Sequence, residues 1–354
     1  MNDTYFVCAD GRDANDGLSE QKPFQTLAKA VDSARNGSIK TITVIGTLNK
    51  ESEAHSVFPK DGQINNDREY TGDEGVFFIN GSGVESVFFI SESGKEEITI
   101  TGINDACLSG GYEKENSENK EFHYGRMRVV KVSGCSNIRF KNIAITGGNI
   151  SSYLSAPLSM TFSPQTHNIP AGRGGGLYIS PSAIVTLDKN AVVHGNKSLV
   201  SGGGGVAVVG GRLNLDGGVI RDNYAEYGGG VHVSSGRLDI ENCVFLEYSN
   251  RMRILYDKHC QIFGELNMRN GEIIKNTSCD GGGAYIAREC TFTMSGGLTK
   301  QNTITVEPFS LIAYSHRTKI LRNGVSLENG SIFITTGGRI LDGKRNNRFK
   351  FYTL

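Results

Sequence analysis

The chain has 354 residues, with 46 glycines but only 7 prolines, 37 Lys+Arg against 37 Asp+Glu, and no tryptophan. Zero net charge excludes electrostatic capture of nucleic acid or an anionic membrane as the organising principle, and glycine without proline excludes a Pro/Gly linker. No stretch is long and apolar enough to span a bilayer, so no transmembrane segment is predicted, and residues 1–5 carry neither the basic nor the apolar part of a signal peptide.

Residues 1–37 read as an N-terminal cap. The segment 23–36 places Phe24, Leu27, Val31 and Ala34 at helical spacing, with Pro23 at its start and Gly37 after it, which predicts one short amphipathic helix covering the N-terminal end. In the same cap Asp10, Asp13 and Asp16 lie three residues apart in ADGRDANDG. Asx-turn chemistry is the reading taken. A Ca²⁺ loop is the alternative, without EF-hand spacing.

Residues 38–343 read as a stack of β-repeats. The segments 39–48, 76–79, 87–90 and 98–103 are β-rich and separated by Gly/Asn/Ser turns, and 128–148 reads as a full repeat. Two excursions interrupt the pattern, a highly charged one near 113–121 and a polar one with three prolines at 149–173. Glycine triplets then begin at Gly174, Gly203, Gly228 and Gly281, with gaps of 29, 25 and 53 residues. The last gap is read as two repeats, the second, at 251–280, lacking its triplet.

Each triplet is followed by an alternating segment: Leu177-Tyr178-Ile179, Val206-Ala207-Val208, Val231-His232-Val233 and Ala284-Tyr285-Ile286. A second follows: Val185-Thr186-Leu187, Leu213-Asn214-Leu215, Leu238-Asp239-Ile240, Leu266-Asn267-Met268 and Phe292-Thr293-Met294. A third ends near Asn196, Asn223, Asn276 and Asn302. Alternation of period two means strands with one buried face, so Leu213, Leu215, Leu238, Ile240, Leu266, Met268, Phe292 and Met294 are predicted to point inward and stack. The recurrent asparagines suit αL turn positions and an internal amide ladder. Three short strands per repeat of roughly 25 residues bury their apolar faces only by stacking, which predicts an all-β, right-handed parallel β-helix. Residues 344–354, basic and aromatic, read as a C-terminal cap or tail.

The opening YFVCADGRDANDGLSEQKPFQTLAKAVDSA resembles the N-terminal cap of secreted right-handed β-helix proteins of the pectin-lyase-like superfamily. The repeats GGGVHVSSGRLDIENCVF and GGGAYIARECTFTMSGG resemble those of bacterial polymorphic outer-membrane-type surface proteins. The resemblance implies the fold and an extracellular or cell-surface setting. It leaves function open, because the fold hosts lyases, hydrolases, adhesins and tailspikes.

Three residue sets carry candidate chemistry. Asp188, Asp216 and Glu241 follow the second strand on what read as successive repeats. They are taken as solvated turn residues, with Ca²⁺ binding or an acid/base pair as the alternative. Tyr178, His232 and Tyr285 occupy the outward position of the first strand, as a surface stripe for sugar rings or a protein partner. The seven cysteines, without a CxxC, read as buried thiols, with a zinc site or disulfides as the alternative. The predicted function is a secreted or cell-surface binding and adhesion scaffold without a required cofactor, its partner a polysaccharide or a host or neighbour-cell surface protein. The rival is a polysaccharide-active lyase or glycoside hydrolase of the same fold.

Overall fold

The computed structural model describes residues 3–53, 85–91, 93–110, 126–150, 173–239, 244–247, 259–305, 324–328 and 330–341. Over these the chain is all-β and built on two large, almost wholly parallel sheets, an arrangement compatible with a β-solenoid. The larger, of thirteen strands, runs through Tyr5–Cys8, Thr41–Leu48, Gly94–Ser109, Ser136–Lys141, Ile184–Leu187, Arg212–Arg221, Glu265–Ile274, Thr291–Met294 and Ile332–Thr335.

Register in this sheet stacks like on like. Ile42, Ile100, Phe140, Leu187, Leu215, Met268 and Met294 form one column through successive pairings. Ile98, Ile138, Val185, Leu213, Leu266 and Phe292 form a second, and its last ring packs 5.1 Å from that of Phe333. The first thirteen of these side chains are buried, and each is worth about 1.5–3 kcal/mol of transfer free energy. A slip of one residue would turn every member outward.

The second sheet, of twelve strands, contains Arg126–Ser133, Leu177–Ile179, Val206–Val209, Val231–Ser234, Ala284–Ile286 and Val325–Leu327, and also Lys197–Gly202, Tyr224–Tyr227 and Thr277–Asp280. The glycine triplets join these two sets of strands. The first glycine of each triplet has positive φ, 71° at Gly174, 75° at Gly203, 57° at Gly228 and 63° at Gly281, a conformation that favours glycine. The third glycine lies against the asparagine column: a Cβ at Gly205 would sit 2.8 Å from Asn223 Nδ2.

The predicted amide ladder is present. Asn196 Nδ2 donates to Asn223 Oδ1 (3.1 Å), Asn223 Nδ2 to Asn276 Oδ1 (3.0 Å) and Asn276 Nδ2 to Asn302 Oδ1 (3.0 Å). Each of these amides also donates to a backbone carbonyl, and each Oδ1 accepts a backbone N–H from the preceding repeat. All four asparagines are buried, so the ladder is a fully satisfied polar core.

Two expectations change. Leu266 stands directly opposite Leu213, so the 53-residue gap is one repeat carrying an insertion, not two repeats. The insertion includes Gly236–Asp239, which pairs antiparallel with Val244–Glu247 and His259–Ile262 in a separate three-stranded sheet. Leu238 therefore leaves the predicted inward column, and Ile240 lies outside the described residues. A hairpin strand alternates as a solenoid strand does, so periodicity alone does not separate them. Asn149–Ile150, assigned to an excursion, is a short strand pairing with Lys197 and Ser198. The excursion near 113–121 and the tail 344–354 lie outside the described residues.

At the N-terminal end the helix spans Leu27–Asn36 and buries Leu27, Ala30, Val31 and Ala34. Thr26 caps it by accepting from the Lys29 amide, and the buried Glu53 carboxylate accepts from Leu27 N at 2.5 Å, where the helix dipole favours an anion.

Candidate functional site: a re-entrant corner

The two outer surfaces of the stack handle charge differently. On the thirteen-stranded sheet several arginines pair with carboxylates of neighbouring strands. Arg139 lies between Glu97 (Nε–Oε1 2.7 Å) and Asp188 (Nη1–Oδ2 3.0 Å), and Arg212 pairs with Glu265 at 2.7 Å. Arg269 binds Asp216 in bidentate fashion, at 2.7 and 2.5 Å. Burial pulls the Asp188 carboxyl up, but the Lys189 amide and Arg139 outweigh it and hold it below its ordinary value.

Of the three acids Asp188, Asp216 and Glu241, the first two lie within the described residues. Asp188 and Asp216 follow paired residues on adjacent repeats, but each is matched by an arginine. The next strand of this sheet contributes Arg269 and Asn270 there, and Glu241 lies outside the described residues. Such exposed pairs contribute about 0–1 kcal/mol each.

The second surface is not the flat, exposed stripe that alternation suggests. Tyr178 is 1% exposed and His232 7%, while Tyr285 is half-buried. The reason lies in the glycine corner. A Cβ at Gly174 would approach that of Ala207 to 3.2 Å, and one at Gly281 that of Ser326 to 3.2 Å. The outer side of the corner is thus re-entrant, and side chains that alternation sends outward face one another across it. At Gly202 the missing side chain is where the His232 ring sits: a Cβ there would be 2.4 Å from His232 Cγ.

Two columns flank this corner. One is Lys131, Tyr178, Ala207, His232, Tyr285 and Ser326. The other consists of the residues immediately before each triplet, Arg173, Gly202, Tyr227 and Asp280, linked repeat to repeat by the backbone bonds of the following glycines. At the N-terminal end the corner is basic and aromatic. The buried Arg128 guanidinium carbon lies 4.3 Å from the Tyr178 ring centroid, and its Nη2 donates to the Arg173 carbonyl at 2.6 Å. Arg173 reaches across the next repeat to donate to Ser234 Oγ at 2.8 Å.

Farther along, the corner becomes acidic. His232 stacks on Tyr285 (centroids 5.4 Å apart, planes 15°), and Tyr285 meets Tyr227 edge to face (5.4 Å, 61°). Burial, and then the Arg173 charge, holds His232 neutral, well below its ordinary pKa, and its buried Nδ1 has no hydrogen-bond partner among the described residues. Asp280 is 6% exposed; the Ser326 hydroxyl and the Gly281 amide hold its carboxylate, but Oδ1 has no partner among the described residues. Burial pushes the Asp280 pKa up to about 6, and the Glu328 charge adds to the shift. Burial also raises both phenols, reinforced by Glu226 and Asp280 at Tyr227 and by Glu328 and Asp280 at Tyr285.

Of these residues, sequence reasoning found Tyr178, His232 and Tyr285 and missed Arg128, Arg173, Tyr227, Asp280, Glu226 and Glu328. Aligning the residue before each triplet would have exposed Arg173, Tyr227 and Asp280 as one column. Two of the three cap aspartates, Asp13 and Asp16, are engaged locally. Asp13 accepts from Gln25 N, Thr26 N and Thr26 Oγ1, and Asp16 accepts from Leu18 N. Among the described residues no three His, Cys, Asp or Glu side chains converge as a metal site. Cys8, Cys107, Cys135, Cys279 and Cys290 are free thiols, and burial pushes Cys290 up to about 12. Among the described residues no helix is long and apolar enough to cross a membrane. No family model, curated protein or solved structure matches the chain.

Proposed function

We propose that the chain is a right-handed parallel β-helix of the pectin-lyase-like kind, secreted or displayed at a cell surface, that works as a binding and adhesion scaffold for a polysaccharide. The handedness is supported by the rule that parallel crossover connections are right-handed in about 98% of cases. The family reading is supported by the cap and repeat sequences. The binding reading rests on one observation: Tyr227, Tyr285 and Asp280 meet at a re-entrant corner, and the Asp280 carboxylate keeps a buried oxygen with no partner among the described residues. Half-buried tyrosines offer sugar rings a stacking surface, and an unused acceptor fixes a polar group beside them.

The test is retention of the full chain on a panel of immobilised polysaccharides. At least one should retain it, and Tyr227→Ala with Tyr285→Ala should abolish retention while circular dichroism stays unchanged. A folded protein retained by none, or retained equally by the double variant, sinks the proposal. A second reading is favoured by the raised Asp280 pKa beside Glu328, the condition of a general acid at neutral pH. This is a polysaccharide lyase or hydrolase. New reducing ends or unsaturated products from a retained polysaccharide, absent in Asp280→Asn, would replace the scaffold reading with this one.

A further inference from the structure

We propose that the corner made by Tyr227, Tyr285 and Asp280 is a site for an alkylammonium group, so that the polysaccharide it takes is one whose sugars carry free amines. The polysaccharide part rests on the binding reading above; the ammonium part does not.

Three independent features of the corner favour a cation. The Tyr227 and Tyr285 rings meet at 61° with centroids 5.4 Å apart, and both remain partly open. The two rings touch edge to face and His232 stacks on one side of Tyr285, so a cation would sit against the ring surface that stays open, whose negative face attracts an ammonium. The second feature is Asp280 Oδ1, a carboxylate oxygen in a side chain more than nine-tenths buried, with no partner among the described residues. A buried acceptor left unmade is costly, and an ammonium N–H supplies both the hydrogen bond and the counter-charge.

The third feature is the sign of the surroundings. From every described element packed around it, Asp280 is faced by neutral or acidic groups. These are the Ser326 hydroxyl and Glu328 from the strand one repeat on, the Tyr285 phenol, and the Tyr227 phenol with Glu226 beside it. The Gly281 amide is its one backbone donor there. No ion pair reaches Asp280, Glu226 or Glu328 among the described residues, whereas on the thirteen-stranded sheet Glu97, Asp188, Glu265 and Asp216 each pair with an arginine. Uronate chains, which bring carboxylates, would be repelled here. N-acetylated sugars would stack but leave Oδ1 without its cation.

Calorimetric titration of the full chain with methylammonium, three sugar tetramers and tetralysine tests this. Methylammonium keeps its N–H donors and stays fully protonated between pH 5 and pH 7.5, so its pH dependence reports the protein alone. It should bind at pH 7.5 and weaken at pH 5, where Asp280 is protonated. The glucosamine tetramer, at pH 6.5, should bind at least about tenfold more tightly than its N-acetylated counterpart, the factor set by about 1.4 kcal/mol of lost charge pairing. The galacturonate tetramer should not bind. Asp280→Asn, isosteric and expected to fold, should weaken both cations by a similar factor. Tyr285→Phe, which keeps the π face, should retain them, and Tyr285→Ala should not. Failure of both cationic probes to bind the folded chain, or equal binding by Asp280→Asn, overturns the proposal. An N-acetylated tetramer that binds as tightly as the free amine overturns the ammonium site but leaves the polysaccharide reading standing. Binding of tetralysine and methylammonium without the glucosamine tetramer overturns the polysaccharide assignment instead.

Discussion

On the inner side of the glycine corner, Asn196, Asn223, Asn276 and Asn302 are buried, and their ladder amides donate to the next side chain and to a backbone carbonyl. On the outer side, a few ångströms of backbone away, His232 and Asp280 are nearly as buried, yet each keeps a polar atom without a partner among the described residues. The same turn thus carries a satisfied polar column and an unsatisfied one. Complete pairing holds repeats together, and removing one member leaves its neighbours stranded. Incomplete pairing costs stability in the free protein, so it marks the place where a partner from outside would gain most.

Asn223→Ala should have the largest effect. It strands the Asn196 N–H, the Asn196 amide and the Val193 carbonyl at once. At about 1–3 kcal/mol for each buried group left unmade, the expected loss is about 3 kcal/mol or more in urea denaturation. A loss under about 1 kcal/mol would break the inner half of the comparison.

Asp280→Asn should act in the opposite direction. The folded-state pKa of about 6 lies above the ordinary 3.8, so folding favours the protonated form. The penalty is therefore absent below about pH 4 and fully present once the pH has risen through about 6. At about 1.4 kcal/mol per pH unit, removing the charge should stabilise the protein by about 2–3 kcal/mol at pH 7 and by almost nothing at pH 4. Equal effects at both pH values would show that the carboxyl is not strained.

The exposed face supplies the smallest effect. Asp216→Asn breaks a bidentate pair with Arg269, and the expected cost is under about 1 kcal/mol, shrinking further in high salt. Relief of repulsion between stacked acids, which would make the change stabilising, is not expected once each acid has its arginine. With Arg269 occupying the Asp216 carboxylate, millimolar Ca²⁺ should leave the melting temperature unchanged.

Much of the interior was legible in the sequence because it depends on local rules repeated in register. Leu213-Asn214-Leu215 over Leu266-Asn267-Met268 over Phe292-Thr293-Met294 declares its inward face by alternation, and Asn223 declares its turn by residue type. Leu238-Asp239-Ile240 obeyed the same alternation and misled, since a hairpin strand has the same period as a solenoid strand. The outer corner was illegible for a different reason. Whether Tyr178 and His232 meet solvent is decided by positive-φ glycines that fold one outer face toward the other, and alternation says nothing of that angle. Asp280 and Tyr227 sit between an asparagine and a triplet, where no periodic signal singles them out.

The central claim, that the corner holds a strained acid while the opposite face holds a relaxed one, is tested most directly by titrating the side-chain carboxyls with ¹³C NMR. The structure predicts that Asp280 titrates near 6 while Asp188 titrates below its ordinary 3.8 in the same sample. Both carboxyls titrating together near the ordinary value would contradict the account, because the two surfaces would then treat charge alike.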